Sequence, residues 1–218
     1  MRVLGIDCGT EYTGYGIVDL LSGDLLCDDL LPRDPPSGGR AHCRDDGRRE
    51  IGHRELGRRE NDRKNGRRDN ERLLFVACGA IHVSPREPMP ARLARISRAL
   101  QELIATHRPD RVAIEDVFYA VNVKSALKLG QVRGVAMLAA ASAGLEVAEY
   151  APLAIKSAVV GYGKAEKHQV QQMVARLLQL DKIPEPADAA DALAIAICHL
   201  HTAATLERQR SVPKAAAR

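Results

Sequence analysis

The chain has 218 residues, with 32 Lys and Arg against 28 Asp and Glu for a net charge of +4, enough for one ordinary domain with a real core and too balanced for an overall basic field. Residues 40–72 hold 11 Arg and one Lys against eight acidic residues, so the body is neutral by count and any nucleic-acid binding there rests on local clustering. The five cysteines (Cys8, Cys27, Cys43, Cys78, Cys198) are odd in number and form no C-x-x-C pair, which argues against a disulfide framework or zinc site. With no charged-then-apolar leader, and an apolar run at 134–145 too short to span a bilayer, the expectation is a cytoplasmic protein with no membrane partner.

The chain opens on Arg-Val-Leu-Gly-Ile-Asp-Cys-Gly-Thr-Glu-Tyr-Thr-Gly-Tyr-Gly-Ile-Val, residues 2–18. Val3, Leu4 and Ile6, then Ile17 and Val18, are β-formers, and the glycine-containing stretch 9–14 between them reads as the turn of a hairpin. Asp7 does not suit a core strand. It is either the first residue of that turn, bonded to nearby amides, or a metal ligand at a strand end.

Residues 32–71 contain almost no large apolar side chain except Ile51 and Leu56. Such a stretch cannot bury enough surface to offset its ordering entropy, and it reads as a disordered or weakly helical insert. It is either a solvated segment of mixed charge or an arm for phosphates. His42, Cys43 and His53 fit no known metal spacing.

A strand follows over 72–83. Leu93, Ile96, Leu100, Leu103 and Ile104 recur at spacings of three and four, predicting an amphipathic helix ending near His107, before Pro109. Residues 112–114 are a short apolar run, the mark of a strand buried on both faces, and the run ends in Glu115. A long helix is expected over 122–143, with Leu127, Gly130, Gly134 and Leu138 near one stripe whose small residues allow close approach of another helix, within the chain or from a second subunit. A strand at 146–150, a short helix at 152–160 carrying Lys156, a turn at 161–164 and a helix at 166–180 follow. The last helix is predicted over 187–206, with Leu193, Ile197 and Leu200 toward the core, before a basic, disordered tail at 207–218. This order gives an α/β class, one domain over 1–206 interrupted by the insert.

Four carboxylates lack an obvious structural need. Asp7 and Glu115 end strands; Asp188 and Asp191 open the last helix three apart, on one face with Cβ atoms roughly 5–6 Å apart. Capping and the helix dipole account for Asp188 and less well for Asp191, which leads into Ala-Leu-Ala-Ile-Ala-Ile-Cys. Carboxylates converging from two strand ends and a helix start would suit hard divalent cations such as Mg²⁺. Two such ions about 4 Å apart can activate a water and stabilise the leaving oxygen of a phosphodiester. Lys156, Lys164 and Lys167 are candidates for holding phosphate, against the plain alternative of solvated surface lysines.

Taken together, these residues resemble the RuvC family of Holliday-junction resolvases. The resemblance rests on Gly-Ile-Asp7-Cys-Gly with Thr13-Gly-Tyr-Gly, on Ala113-Ile-Glu115-Asp-Val-Phe118, and on Ser125-Ala-Leu-Lys-Leu-Gly-Gln-Val-Arg-Gly. It continues in Ala165-Glu-Lys167-His-Gln-Val and Ala187-Asp188-Ala-Ala-Asp191-Ala-Leu-Ala-Ile-Ala. It implies an RNase H-like fold, with a central mixed five-stranded sheet flanked by helices and a long charged insert after the second strand. It further implies a homodimeric endonuclease that nicks two opposing strands of four-way junction DNA symmetrically in recombination and repair, using two Mg²⁺ per site, with Mn²⁺ able to substitute. The catalytic and metal-binding acids would be Asp7, Glu115, Asp188 and Asp191, and the active-site lysines Lys156 and Lys167. Phe118 would wedge into bases at the junction centre, as an exposed aromatic can. The partners implied are the branch-migration proteins RuvA and RuvB. Two departures stand out: Cys8 replaces the family's usual proline, and the insert enlarges a short connection.

Other readings fit less. An actin-like ATPase or sugar kinase would share Gly5-Ile-Asp-Cys-Gly-Thr but needs a second glycine-rich phosphate loop and a second domain. A junction-binding module without cleavage would gain nothing from four carboxylates near phosphate. A related RNase H-like nuclease acting on another branched DNA remains the main alternative.

Overall fold

The computed structural model describes residues 1–21, 72–116 and 123–211, with side chains as far as 205. The predicted insert at 32–71, Phe118 and residues 212–218 lie outside the described residues. Strands β1 (Arg2–Asp7), β2 (Tyr12–Leu21), β3 (Arg72–His82), β4 (Arg111–Glu115) and β5 (Glu146–Tyr150) form one mixed sheet in the order β3-β2-β1-β4-β5. β1 runs antiparallel to β2 and parallel to β4; β2–β3 is antiparallel and β4–β5 parallel. Helices α1 (Met89–His107), α2 (Val123–Ser142), α3 (Pro152–Val160), α4 (Lys167–Leu177) and α5 (Ala187–Ser211) complete the described elements.

Strand alternation divides the core in two. Leu4, Ile6, Ile17, Val112 and Ile114 point to one face, where α1 and α2 cover them with Ile96, Leu100, Val132 and Ala136. Val3, Val18 and Ala113 point to the other face, beneath α5 and the pair α3 and α4. Val112, Ala113 and Ile114 are fully buried, as expected for a strand with both faces covered.

Three sequence expectations change. The first turn is shorter than residues 9–14: β2 begins at Tyr12, and Gly14 and Gly16 are strand residues paired with Asp7 and Gly5. Their glycine character serves packing rather than turning. A Cβ on Gly16 would lie 2.6 Å from the Leu193 amide nitrogen, and one on Gly5 would lie 2.8 Å from that of Ala196. Only bare backbone lets α5 lie this close to the sheet. Second, α5 is not one-sided. Ala190, Ala194, Ile195 and Cys198 are buried along with Leu193, Ile197 and Leu200, because α3 and α4 cover its outer side. A helix apolar all round is an interior helix. Third, α5 continues to Ser211, five residues beyond the predicted end, while α4 is shorter than 166–180, stopping at Leu177.

Candidate active site

The close approach of α5 to the hairpin sets the positions of the acids. Val3, Gly5 and Asp7 share the α5 face of β1, and Ala113 and Glu115 share that face of β4. Ile6 pairs with Ile114, so the two parallel strands deliver Asp7 and Glu115 side by side at their C-terminal ends. Gly14, opposite Asp7, touches the backbone of Asp188 in the first turn of α5. One turn on, Asp191 enters the same space.

Asp7, Glu115 and Asp191 line one open cleft of about 210 Å³ together with Lys156 of α3 and Lys167 of α4. Pro152, Ile155 and Ile195 are among its apolar walls. Asp188 is not in the lining, but its charge reaches both Asp7 and Lys167. Lys164 is exposed on the α3–α4 turn and does not line the cleft. Five of the predicted catalytic residues thus meet in one cleft with the sixth, Asp188, beside it.

The electrostatics follow from crowding like charges in a half-buried place. Burial, then the charges of Asp191, Glu115 and Asp188, push the Asp7 carboxyl up to about 7 against the opposing pull of Lys167. Burial and Asp191 also raise Glu115, opposed by Lys156 and Lys167. Lys167 Nζ donates to Asp191 Oδ2 at 2.6 Å, and this bond holds the ammonium above its ordinary value. Among the described residues no three such side chains are gathered around one point ready to grip an ion. Asp191 is instead turned onto Lys167. The donor set nevertheless fits a hard divalent cation: all four acids offer oxygen only, and Asp7 and Glu115 carry an unrelieved cost of ionisation that a dication would remove.

That cost makes stability depend on pH. The folded chain keeps the Asp7 proton up to about pH 7, whereas an ordinary carboxyl loses it near 3.8. Asp7 therefore contributes fully below the lower value, and its contribution is lost as pH rises through 7. In chelator, Asp7→Asn should be more stable than wild type by on the order of 2 kcal/mol at about pH 8, with the gap narrowing toward about pH 5. Thermal melts across that range check this; a gap that widens on acidification would contradict it.

Sequence reasoning missed two arginines, one buried and one half-buried. Arg92 of α1 is 6% exposed, with Nε and Nη2 unpartnered, and Arg133 of α2 pairs with Asp116 and Glu149. Arg92 falls in the helical stripe four residues before Ile96, a signal obscured by its charge. Arg133 stands within a quoted motif, but nothing local to it names its partners.

The family model described as "Crossover junction endodeoxyribonuclease RuvC" matches residues 66–199. A protein of that name from Koribacter versatilis is 54% identical over 211 residues, covering 97% of this chain and 99% of its own. The Thermus thermophilus RuvC structure superposes with a TM-score of 0.67 at 28% identity, over 94% of this chain and 96% of that one. The T. thermophilus protein in complex with a Holliday junction substrate also gives 0.67, at 26% identity and the same coverage. With its mixed five-stranded sheet and its acids at the ends of β1 and β4, the chain belongs to the RuvC family of crossover junction endodeoxyribonucleases.

Proposed function

We propose that this protein resolves four-way DNA junctions by metal-dependent hydrolysis, nicking two opposing strands symmetrically as a homodimer. The observation that carries the reading is the single cleft in which Asp7, Glu115 and Asp191 meet Lys156 and Lys167. Membership of a family described as crossover junction endodeoxyribonuclease and likeness to a RuvC bound to a Holliday junction support the substrate. Asp7, Glu115, Asp188 and Asp191 would hold two Mg²⁺ ions, or Mn²⁺ in their place. Such ions supply Lewis acidity at the scissile phosphate, activating the attacking water and stabilising the leaving 3′ oxygen.

The chain's own residues do the rest. Asp7, on which the charges of Asp191, Glu115 and Asp188 all act, stands where the negative potential of the cluster is high. Lys167, paired with Asp191 in the folded chain, would offer its ammonium to a phosphate oxygen were that carboxylate to hold a cation. Lys156, which also lines the cleft, steadies the charge that grows on the phosphate oxygens. Lys164, exposed on the neighbouring turn, tracks the backbone beyond the cleft. Phe118, outside the described residues, is assigned to stacking on bases at the junction centre.

Pairing of cuts needs two sites held in fixed relation. The outer face of α2 supports a symmetric contact: Val123 is 73% exposed, Leu127 and Leu138 are each 65% exposed, and the Cβ positions of Gly130 and Gly134 face open space. RuvA and RuvB are the partners proposed on family grounds, in the cytoplasm; among the described residues no helix is long and apolar enough to cross a membrane.

A cruciform-bearing plasmid tests the reading. With Mg²⁺ the wild type should linearise it by paired nicks, and chelator should stop all cutting. Leu127→Glu should sediment as a monomer and convert the plasmid to nicked circles, at least tenfold less of it linear. A monomeric wild type, or linearisation by a monomeric variant, would refute the paired-site mechanism.

A further inference from the structure

On the sheet face opposite the cleft, the apolar cover of α1 and α2 carries a charged side chain near the ends of β1 and β4. Alternation turns Cys8 and Asp116, the residues that follow Asp7 and Glu115, away from the acids and toward α2. Arg133, on the inner side of α2 and 20% exposed in its side chain, meets Asp116 there. Its Nη2 donates to Asp116 Oδ1 at 3.3 Å and also pairs with Glu149 of β5. Its charge acts on the buried Cys8 thiol, which burial and Asp7 push up to about 12. One guanidinium from one helix thus binds the residue beyond Glu115 together with a residue of the neighbouring strand β5.

We propose that Arg133 is a positioning residue for the active site: from α2 it ties the ends of β4 and β5 together and so fixes where Glu115 stands. The backbone of the same corner is tied once more, by the Asp116 amide donating to the Tyr150 carbonyl at 2.8 Å. Glu149 lies opposite Ile114 in the β4–β5 ladder, so the ion pairs to Glu149 and Asp116 flank the last rung, Glu115 opposite Tyr150. β5 is an edge strand and Glu115 the last residue of β4, the kind of place where strands fray without an anchor. A metal ligand tolerates displacement of only about 0.5 Å, so support behind it decides affinity. The Nε of Arg133 is buried without a hydrogen-bond partner, a cost accepted in holding this geometry. The arrangement also joins the helix proposed to meet a second subunit to the carboxylate that would bind metal. A shift of α2 on dimerisation would be felt at Glu115.

The inference rests on Glu115 being a metal ligand, so the test carries Glu115→Gln as a reference. Full-length wild type, Arg133→Gln and Arg133→Lys are compared for Mn²⁺ binding without DNA, read by electron paramagnetic resonance. They are also compared for junction binding in chelator and for the Mg²⁺ midpoint of single-turnover cleavage. Arg133→Gln should weaken Mn²⁺ binding and raise the Mg²⁺ midpoint by about tenfold or more, with junction binding within about twofold of wild type. Arg133→Lys, which keeps the charge but not the fork, should recover part of the loss. Were Arg133→Gln not to fold, Asp116→Asn and Glu149→Gln each remove one anchor and should each give a smaller shift in the same direction. Wild-type Mn²⁺ binding by Arg133→Gln, or by both anchor variants, beside a defective Glu115→Gln overturns the role of Arg133 alone. Wild-type binding by Glu115→Gln overturns the metal reading of Glu115, and the proposal with it.

Discussion

Asp7→Asn should lower single-turnover cleavage of a four-way junction by about 10³-fold or more, while junction binding stays within a few-fold of wild type. A metal ligand supplies several kcal/mol toward the transition state, and each 1.36 kcal/mol is about tenfold in rate. Asp7 is the most heavily loaded of the acids: Asp191, Glu115 and Asp188 all act on it, with Lys167 the counterweight. Its amide is nearly the same size, so the hairpin and the α5 contact at Gly14 are kept. Gel-shift binding in chelator and quenched-flow cleavage in Mg²⁺ separate the two effects. Loss of binding with cleavage would mean that Asp7 is structural, as in the plain turn reading. The same substitution should stabilise the metal-free chain at high pH. A variant firmer in chelator and inactive in Mg²⁺ is the usual signature of a site whose strain serves its ligand.

The second large effect should come from a residue with no side chain. Gly14→Ala should cost about 3 kcal/mol of stability, at or above the upper range for inserting a methyl into a packed interior. For a chain of this size that is a fall of about 6–12 °C in Tm. The new Cβ would lie 2.6 Å from the Asp188 carbonyl carbon, and no side-chain rotation relieves a collision with backbone. The first turn of α5 would have to lift, carrying Asp188 and Asp191 away from Asp7. Calorimetry gives the stability, and the Mg²⁺ midpoint should rise in whatever fraction remains folded. A wild-type Tm for Gly14→Ala would mean that α5 does not depend on this contact.

These two predictions mark what could and could not be read before the fold was known. The acids were legible because each interrupts a pattern: Asp7 and Glu115 close apolar strands, and Asp191 sits at the head of an apolar helix. Val112, Ala113 and Ile114 were legible as a doubly buried strand because no polar residue breaks them. Gly14 and Gly16 were not, since a glycine in a strand and a glycine in a turn look alike without the partner strand. The all-round burial of α5 was hidden for a related reason: a helix of alanines shows no face, and only α3 and α4 decide that both sides are covered. Arg133 shows the remaining limit. Its partners Asp116 and Glu149 lie 17 and 16 residues away on the chain, a relation that exists only once the sheet is assembled.

The ladder between β2 and β3 has a consequence for how this chain can vary. β2 runs away from the cleft: Gly14 lies beside Asp7, whereas Leu21 pairs with Arg72 at the other end of the sheet. At about 3.4 Å per residue, that rung stands roughly 24 Å from the acids. Residues 22–71 leave and return at that one rung, so doubling the length of such a connection adds only about 0.6 kcal/mol to the cost of ring closure. The spacing of the carboxylates is indifferent to it. A longer or shorter connection at that rung therefore leaves the register that sets Asp7 beside Gly14 as it is.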